Sequence, residues 1–210
     1  MSRAGKTYIV TGGASGLGLA TVRLLHKQGA NVSIFDRDAD AGAELLEEYD
    51  NKRIAFFEVD VTSEATVGAA VDGTVTKFGT LNGIINCAGL GSATTTVSRD
   101  LKPHNSGIFD FVLKVNTFGT FYCSAYGAAA MAKLPAGGDG TRGVIVNVAS
   151  VAGIEGQKGQ VAYSASKGAV IGMTLPMARD LARYGIRVMT IAPGIIDTPL
   201  MGMASEKVGL

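Results

Sequence analysis

Tyr163 and Lys167 are separated by three small residues in the sequence YSASK. Residues four positions apart lie on one face of a helix, so the phenol and the amine are predicted neighbours. An ammonium group near a phenol stabilises the phenolate and lowers the phenol pKa from its ordinary value of about 10. Such a tyrosine can take a proton from an alcohol or give one to a carbonyl group. The alternative is an exposed Tyr–Lys pair without chemistry, which is common on helix surfaces.

Two further polar residues are candidates for the same chemistry. Ser150 ends the apolar run VIVNVAS. Ligands of open α/β sheets bind outside the carboxyl ends of the strands, so this hydroxyl could hydrogen-bond a substrate oxygen. Asn116 stands in KVNTFG, inside a long helical pattern where an amide is mildly unfavourable. We therefore expect a polar role or a local kink at Asn116.

The sequence TGGASGLG, Thr11–Gly18, joins the first strand-like run to the first helical pattern. Gly12, Gly16 and Gly18 would let the backbone turn tightly and approach a ligand closely. The helix that follows begins with free N–H groups and a positive dipole end, which suit a phosphate. The strand before, the helix after and an acidic residue downstream agree with a dinucleotide site. A glycine-rich turn without a ligand is the alternative.

Asp36 ends the second strand-like run, 18 residues after Gly18. A carboxylate there can accept hydrogen bonds from both hydroxyls of the adenosine ribose and would repel a 2′-phosphate, which favours NAD over NADP. Arg37 could accommodate that phosphate, and a solvated loop charge is a further alternative for Asp36. Asp60 and Val61 end the third run and are candidates for the adenine pocket, although an aspartate that caps the following turn explains Asp60 nearly as well.

The order of apolar and helical patterns predicts an α/β fold. Near-continuous apolar runs, typical of strands buried on both faces, are Thr7–Thr11, Asn31–Asp36, Arg53–Asp60, Leu81–Ala88, Gly143–Ser150 and Arg187–Ala192. Helical patterns lie between them at Gly16–Gln28, Ala39–Tyr49, Ser63–Phe78, Gly107–Ala132 and Gln160–Tyr184. This alternation predicts a single dinucleotide-binding and catalytic domain over residues 1–210, with a doubly wound parallel sheet and helices on both faces.

Composition and charge exclude several classes of partner. The chain has 19 basic and 18 acidic residues and a net charge of +1, which gives no electrostatic reason to expect nucleic acid or an anionic membrane. No apolar run approaches the roughly 20 residues that a membrane span needs. Cys87 and Cys123 stand in apolar segments, which favours a reducing compartment. We expect the cytosol, with the mitochondrial matrix as the alternative in a eukaryote. His26 and His104 have no partner at metal-ligand spacing, so no metal is expected.

In order along the chain, these motifs resemble the short-chain dehydrogenase/reductase family. The resemblance rests on TGGASGLG, NCAG at Asn86–Gly89, Asn116, Ser150, YxxxK and Pro193–Gly194, and it covers essentially the whole chain. It implies a Rossmann fold and a catalytic tetrad of Asn116, Ser150, Tyr163 and Lys167. Within that set Tyr163 is the acid/base, Lys167 contacts the nicotinamide ribose, Ser150 binds the substrate oxygen, and Asn116 kinks its helix and holds a relay water. The candidate cofactor-binding residues are then Gly12, Ser15, Gly16, Leu17, Gly18, Asp36, Asp60, Val61, Asn86, Ala88, Gly89, Tyr163, Lys167, Pro193, Gly194 and Thr198. Cys87 replaces the family's usual Asn and is interpreted as buried packing.

The run from Ala149 to Gly194 more closely resembles the type-2 3-hydroxyacyl-CoA dehydrogenase branch of this family. That resemblance implies NAD and the oxidation of a secondary alcohol, at C3 of an acyl-CoA or in a hydroxysteroid, with Gln157 and Gln160 near the substrate. Ordinary loop polarity is the alternative for these two glutamines. The resemblance also implies a homo-oligomer, a tetramer in the family. Family members continue beyond IAPGIIDTPLMG, so we expect about one helix–strand unit fewer here. The alternative function is a catalytically weak dinucleotide-binding module or scaffold.

Overall fold

The computed structural model describes residues 3–49 and 52–198. At its centre lies a six-stranded sheet with the strand order β3-β2-β1-β4-β5-β6. The strands are β1 Thr7–Thr11, β2 Asn31–Asp36, β3 Ile54–Glu58, β4 Gly83–Asn86, β5 Gly143–Val148 and β6 Ile186–Ile191. All five pairings between them are parallel. Parallel strands need crossover connections, and helices supply them here.

Within the described residues, six α-helices flank this sheet: α1 Gly16–Lys27, α2 Ala39–Glu48, α3 Glu64–Phe78, α4 Ser106–Leu113, α5 Thr120–Lys133 and α6 Val161–Ala182. Successive side chains of a strand point to opposite faces, so each face of the sheet builds its own core. Tyr8 and Val10 of β1 pack in the core that includes residues of α1 and α2. Ile9, between them, packs in the core that includes residues of α3, α5 and α6. None of the helices in the described ranges is long and apolar enough to cross a membrane.

The predicted alternation of strands and helices is confirmed, with ends that differ by a few residues. The main difference lies in the pattern Gly107–Ala132, which forms α4, a π-helical turn at Lys114–Gly119, and α5. Asn116 lies in this turn, and its carbonyl accepts a hydrogen bond of 2.8 Å from Thr120 Oγ1. π-helical turns interrupt the regular backbone ladder and occur frequently at functional sites. The irregularity expected at Asn116 therefore takes the form of a π-helical turn.

The strand order places a crevice at the carboxyl ends of β1 and β4. Strand β1 pairs with β2 on one side and with β4 on the other, so the chain leaves these neighbouring strands in opposite directions. Among the hydrogen bonds that hold the turn after β1, Gly12 N donates to Phe35 O at 2.8 Å and Ala88 N donates to Thr11 Oγ1 at 3.1 Å. Open α/β sheets bind their ligands at such a point of reversal.

Candidate active site

A cleft with a volume of about 380 Å³ lies outside the carboxyl ends of β1, β4, β5 and β6. It is lined by most of the residues that the sequence singles out. These residues are Gly12, Ser15, Gly16, Leu17, Gly18, Ala88, Gly89, Ser150, Tyr163, Lys167, Pro193, Gly194 and Thr198. The sheet thus brings together motifs that are far apart along the chain.

The glycine turn is built from close backbone contacts. Gly12 has φ of +61°, and a Cβ there would lie 2.8 Å from Ala88 Cα, while a Cβ on Gly18 would overlap the carbonyl group of Gly12. The Ser15 side chain makes no capping hydrogen bond, and the first turn of α1 contains no acidic residue. The N–H groups and the positive end of α1 are therefore free to receive an anion. The residues present fit the pyrophosphate of a dinucleotide.

Asp36 lies at the end of β2, beside the glycine turn. Its Oδ2 accepts a hydrogen bond of 3.0 Å from Ala14 N, and its Oδ1 accepts one of 3.2 Å from Asp38 N. Asp36 is half-buried, whereas the neighbouring Arg37 is exposed. Each carboxylate oxygen has a second lone pair, so Asp36 retains the capacity to accept hydrogen bonds from ribose hydroxyls. Asp36 is not part of the cleft lining in the described residues.

Asp60 and Val61 also lie outside the lining of the cleft. Asp60 Oδ1 accepts hydrogen bonds of 2.8 Å from both the backbone N and Oγ1 of Thr62, which is the turn-capping arrangement. Val61 packs against the π-helical turn so closely that a Cβ on Gly119 would lie 2.7 Å from Val61 Cγ2. Both side chains are engaged in local structure, and a cofactor contact through them stays a prediction.

The Asn86 side chain is buried between β4, β5 and α5. Its Nδ2 donates hydrogen bonds of 2.9 Å to Ser124 Oγ and to Asn147 Oδ1. The side chain therefore ties the two strand ends to α5 and does not face the cleft. Its neighbour Cys87 does line the cleft.

Tyr163, near the start of α6, faces Ser150 at the end of β5. The nearby Ser150 hydroxyl acts to lower the pKa of Tyr163 by favouring the phenolate, but burial has the larger effect and raises this pKa. The expectation that Lys167 holds this pKa below its ordinary value is therefore wrong for this arrangement. Spacing correctly predicted the neighbouring positions, because Lys167 Nζ lies 5.8 Å from the centre of the Tyr163 ring.

Lys167 is buried behind Tyr163. Its Nζ donates a hydrogen bond of 2.8 Å to Val148 O, at the end of β5. Burial lowers the pKa of Lys167 to about 8, and the neighbouring Cys87 acts in the opposite direction. Burial likewise raises the pKa of the Cys87 thiol to about 11, so that this thiol is neutral at physiological pH. The neutral thiol fits the interpretation of Cys87 as packing, but the residue is only partly buried and lines the cleft.

Asn116 is fully buried, and its side chain does not line the cleft. Its Oδ1 accepts a hydrogen bond of 2.9 Å from Leu90 N, and its Nδ2 donates to Leu90 O at 2.9 Å and to Ser166 Oγ at 3.0 Å. Gly89 connects it to the cleft: a Cβ there would lie 3.1 Å from Asn116 Oδ1 and 3.5 Å from Lys167 Nζ. The four residues of the predicted tetrad thus converge, three at the cleft surface and Asn116 behind it.

Several residues of the cleft lining were not among the predicted site residues. They are Cys87, Leu90, Val148, Ala149, Val151, Ala152, Glu155, Ile195 and Ile196. Most lie in the last residues of the predicted strands or within two residues after them, so the rule that strand ends line the crevice could have found them. Gln157 and Gln160, interpreted as substrate-side residues, also belong to the lining.

Comparisons with known proteins agree with this geometry. The sequence pattern of the family described as short chain dehydrogenase matches residues 6–209. The 3-hydroxyacyl-CoA dehydrogenase type-2 of Drosophila melanogaster is 49% identical over 95% of this chain and 78% of its own length. The human protein of the same name is 46% identical over 97% of this chain and 78% of its own length. The crystal structure of 3-hydroxyacyl-CoA dehydrogenase type-2 from Mycobacterium avium superimposes with a TM-score of 0.90 at 43% identity and covers 97% of this chain and 80% of that one.

Fold, cleft and comparisons agree that the chain is an oxidoreductase with a nicotinamide dinucleotide cofactor and a small-molecule substrate. The chain belongs to the short-chain dehydrogenase family.

Proposed function

We propose that the chain is an NAD-dependent dehydrogenase that interconverts a secondary alcohol and its ketone. The substrate is a 3-hydroxyacyl-CoA, with hydroxysteroids as the second substrate class. The observation that carries the proposal is the Tyr163 phenol, which shares one cleft with Ser150, with Lys167 one helical turn away and with the glycine turn.

In this proposal Tyr163 is the catalytic residue that moves the proton. The Ser150 hydroxyl holds the substrate oxygen beside the phenol, where a bound nicotinamide would exchange hydride with the carbinol carbon. Because burial raises the pKa of Tyr163, the phenol is protonated at neutral pH and acts as the acid when a ketone is reduced. Alcohol oxidation uses the phenolate as the base, so its rate should rise with pH. Lys167 lines the same cleft and in this proposal contacts the nicotinamide ribose.

The rim of the cleft supports an apolar substrate. Val151, Ile195 and Ile196 line the cleft, and their exposed fractions are 42%, 84% and 39%. Large apolar side chains exposed together are favourable contacts for an acyl chain or a steroid, because contact removes apolar surface from water. The names of the relatives from Drosophila melanogaster and Homo sapiens supply the acyl-CoA class.

The Asp36 carboxylate supports NAD over NADP. It lies at the end of β2 and is hydrogen-bonded to Ala14 of the glycine turn. A 2′-phosphate beside this carboxylate would be repelled, whereas ribose hydroxyls can donate hydrogen bonds to it. Titration with NADH and NADPH measures this preference, and tighter binding of NADPH would exclude the assignment.

The decisive experiment follows the oxidation of NADH by the purified chain with acetoacetyl-CoA. We expect turnover in the wild type. Tyr163→Phe should abolish it, because the acid is removed, while the affinity for NADH stays almost unchanged. NADH binding without turnover in the wild type would identify a dinucleotide-binding module instead. Equal loss of turnover and NADH binding in Tyr163→Phe would show that the variant is misfolded.

We also propose a homo-oligomer in a reducing compartment, the cytosol or the mitochondrial matrix. Four aromatic side chains are exposed on one continuous helical segment, at Phe111, Phe118, Phe121 and Tyr126. Clusters of this kind are typical of surfaces that are covered by a partner chain. The cysteines support the compartment, because both Cys87 and Cys123 are free thiols.

A further inference from the structure

Ser166 lies between Tyr163 and Lys167 on α6 and is fully buried. Its hydroxyl donates a hydrogen bond of 2.7 Å to Tyr163 O, one turn earlier in the same helix. Serine hydroxyls in helices commonly form this bond, and alone it indicates no function. The second bond of the same oxygen is different, because Ser166 Oγ accepts a hydrogen bond of 3.0 Å from Asn116 Nδ2.

The same residue also receives a contact from the next position of the π-helical turn. Thr117 Oγ1 donates a hydrogen bond of 3.2 Å to Ser166 O. The side chain and the backbone of Ser166 are therefore both bonded to the π-helical turn. Ser166 is the point at which that turn is joined to the helix that carries the predicted acid/base.

The hydroxyl of Ser166 also reinforces the orientation of the Asn116 amide, which the N–H and C=O groups of Leu90 already select. Its proton is committed to Tyr163 O, so the oxygen faces Asn116 as an acceptor and selects the Nδ2 end of the amide. The Oδ1 end then faces Leu90 N and lies close to Gly89, on the side of Lys167 Nζ. Without this partner, one N–H of the buried Asn116 amide would be unsatisfied, and the amide would be held through its bonds to Leu90.

We propose that Ser166 is a positioning residue of the dehydrogenase, which holds Asn116 in register with Tyr163 and Lys167. The expected effect of Ser166 on kcat rests on the proposed function, whereas its contacts with Asn116 and Tyr163 do not. Ser166 touches neither the cleft surface nor the reacting atoms, so it acts through Asn116 and the backbone of Tyr163.

Ser164→Ala is the matched control for Ser166→Ala. Both serines belong to YSASK, but the buried Ser164 Oγ has no hydrogen-bond partner in the described part of the chain. Ser166→Ala should lower kcat for acetoacetyl-CoA reduction about tenfold, because a shift of Asn116 and of the Tyr163 backbone misaligns the groups that transfer the proton. KM and the Kd for NADH should stay within about twofold, because the substrate and cofactor contacts remain. Ser164→Ala should retain the wild-type kcat.

Hydrogen exchange does not depend on turnover, so it tests the role of Ser166 separately from the proposed dehydrogenase activity. Leu90 N–H is protected by Asn116 Oδ1, so its hydrogen exchange should accelerate in Ser166→Ala and not in Ser164→Ala. Combining Ser166→Ala with Asn116→Ala should give a loss of kcat far smaller than the product of the single losses, because both changes disrupt one unit. If Ser166→Ala unfolds, Ser166→Cys, which keeps the size and weakens the bond, replaces it and should show the same effects at a smaller size.

Equal kcat values and equal Leu90 exchange in the two alanine variants would overturn the role of Ser166. Fully multiplicative losses in the double variant would overturn it as well. An inactive wild type that nevertheless shows the exchange difference would contradict the proposed function and leave the positioning contact supported.

Discussion

At the scale of a single residue, Lys167 is both an ionisable amine and a buried side chain, and burial disfavours its charged form. It is a cation by chemistry, yet it is buried against Val148 O and its pKa is lowered to about 8. Burial disfavours the charged form, so the lowered pKa means that the protonated amine destabilises the folded state relative to the unfolded state. A buried amine retained at this cost is typical of a functional site.

This cost can be measured through its dependence on pH. The folded pKa of about 8 lies below the value of about 10.4 for an unfolded lysine. The penalty is fully present below pH 8 and disappears as pH rises towards 10.4, since the folded protein loses the proton first. In Lys167→Met, the free energy of unfolding relative to wild type should therefore fall as pH rises from 8 to 10. Denaturant titration measures this difference, and groups that do not interact with Lys167 cancel.

The control is Lys27→Met, which removes an exposed amine at the end of α1. The difference in the free energy of unfolding between Lys27→Met and wild type should change little over the same pH range. A constant difference for Lys167→Met would mean that the amine is not desolvated in the folded protein.

The sequence predicted which residues of the tetrad are neighbours but not their ionisation. The spacing of Tyr163 and Lys167 in a helix requires proximity, and the structure has it. The pKa of Tyr163 depends on how deeply its phenol is buried by residues of β5 and the loops, and the spacing of two helical residues contains no information about that burial. The predicted direction of the Tyr163 pKa was wrong for this reason.

At the scale of an element, the turn from β1 to α1 depends on the absence of side chains. A Cβ on Gly18 would overlap the carbonyl group of Gly12, which is backbone and cannot move aside. Gly18→Ala should therefore displace the start of α1 and weaken NADH binding at least about tenfold, because a misplaced helix N-terminus no longer meets the anion. Fluorescence titration with NADH measures the loss. Gly138→Ala is the control, since no atom lies within 4 Å of its added Cβ. Unchanged NADH affinity in Gly18→Ala would show that the dinucleotide does not bind at this turn.

The elements were easier to predict than their irregularities. Strands β1 and β2 have the predicted bounds, because buried parallel strands are continuous apolar runs. The pattern Gly107–Ala132 is helical throughout in the sequence, and only the amide at Asn116 hinted at the π-helical turn. The bonds of Asn86 to Ser124 and Asn147 join residues far apart in sequence, so spacing could not reveal them.

At the scale of the whole molecule, the helical segment from α4 through the π-helical turn to α5 has one buried face and one exposed apolar face. Residues such as Val112, Cys123 and Met131 are buried in α4 and α5. On the outer side, Phe111, Phe118, Phe121 and Tyr126 have exposed fractions between 38% and 49%. Because the predicted tetrad residue lies between these faces, a partner chain covering the outer side would also stabilise the π-helical turn.

This surface gives the proposed oligomer a direct test. Full burial of one large apolar side chain contributes roughly 1.5–3 kcal/mol, so a few aromatic residues can decide an assembly. Wild-type protein should form a homo-oligomer at micromolar concentration in light scattering, and Phe118→Glu/Phe121→Glu should shift it to smaller species, since a charge in a desolvated interface is costly. Leu24→Glu is the control, because Leu24 is 55% exposed on α1, the layer on the other face of the sheet. A monomeric wild type would refute self-association, and an unchanged mass in the double variant would place the interface elsewhere.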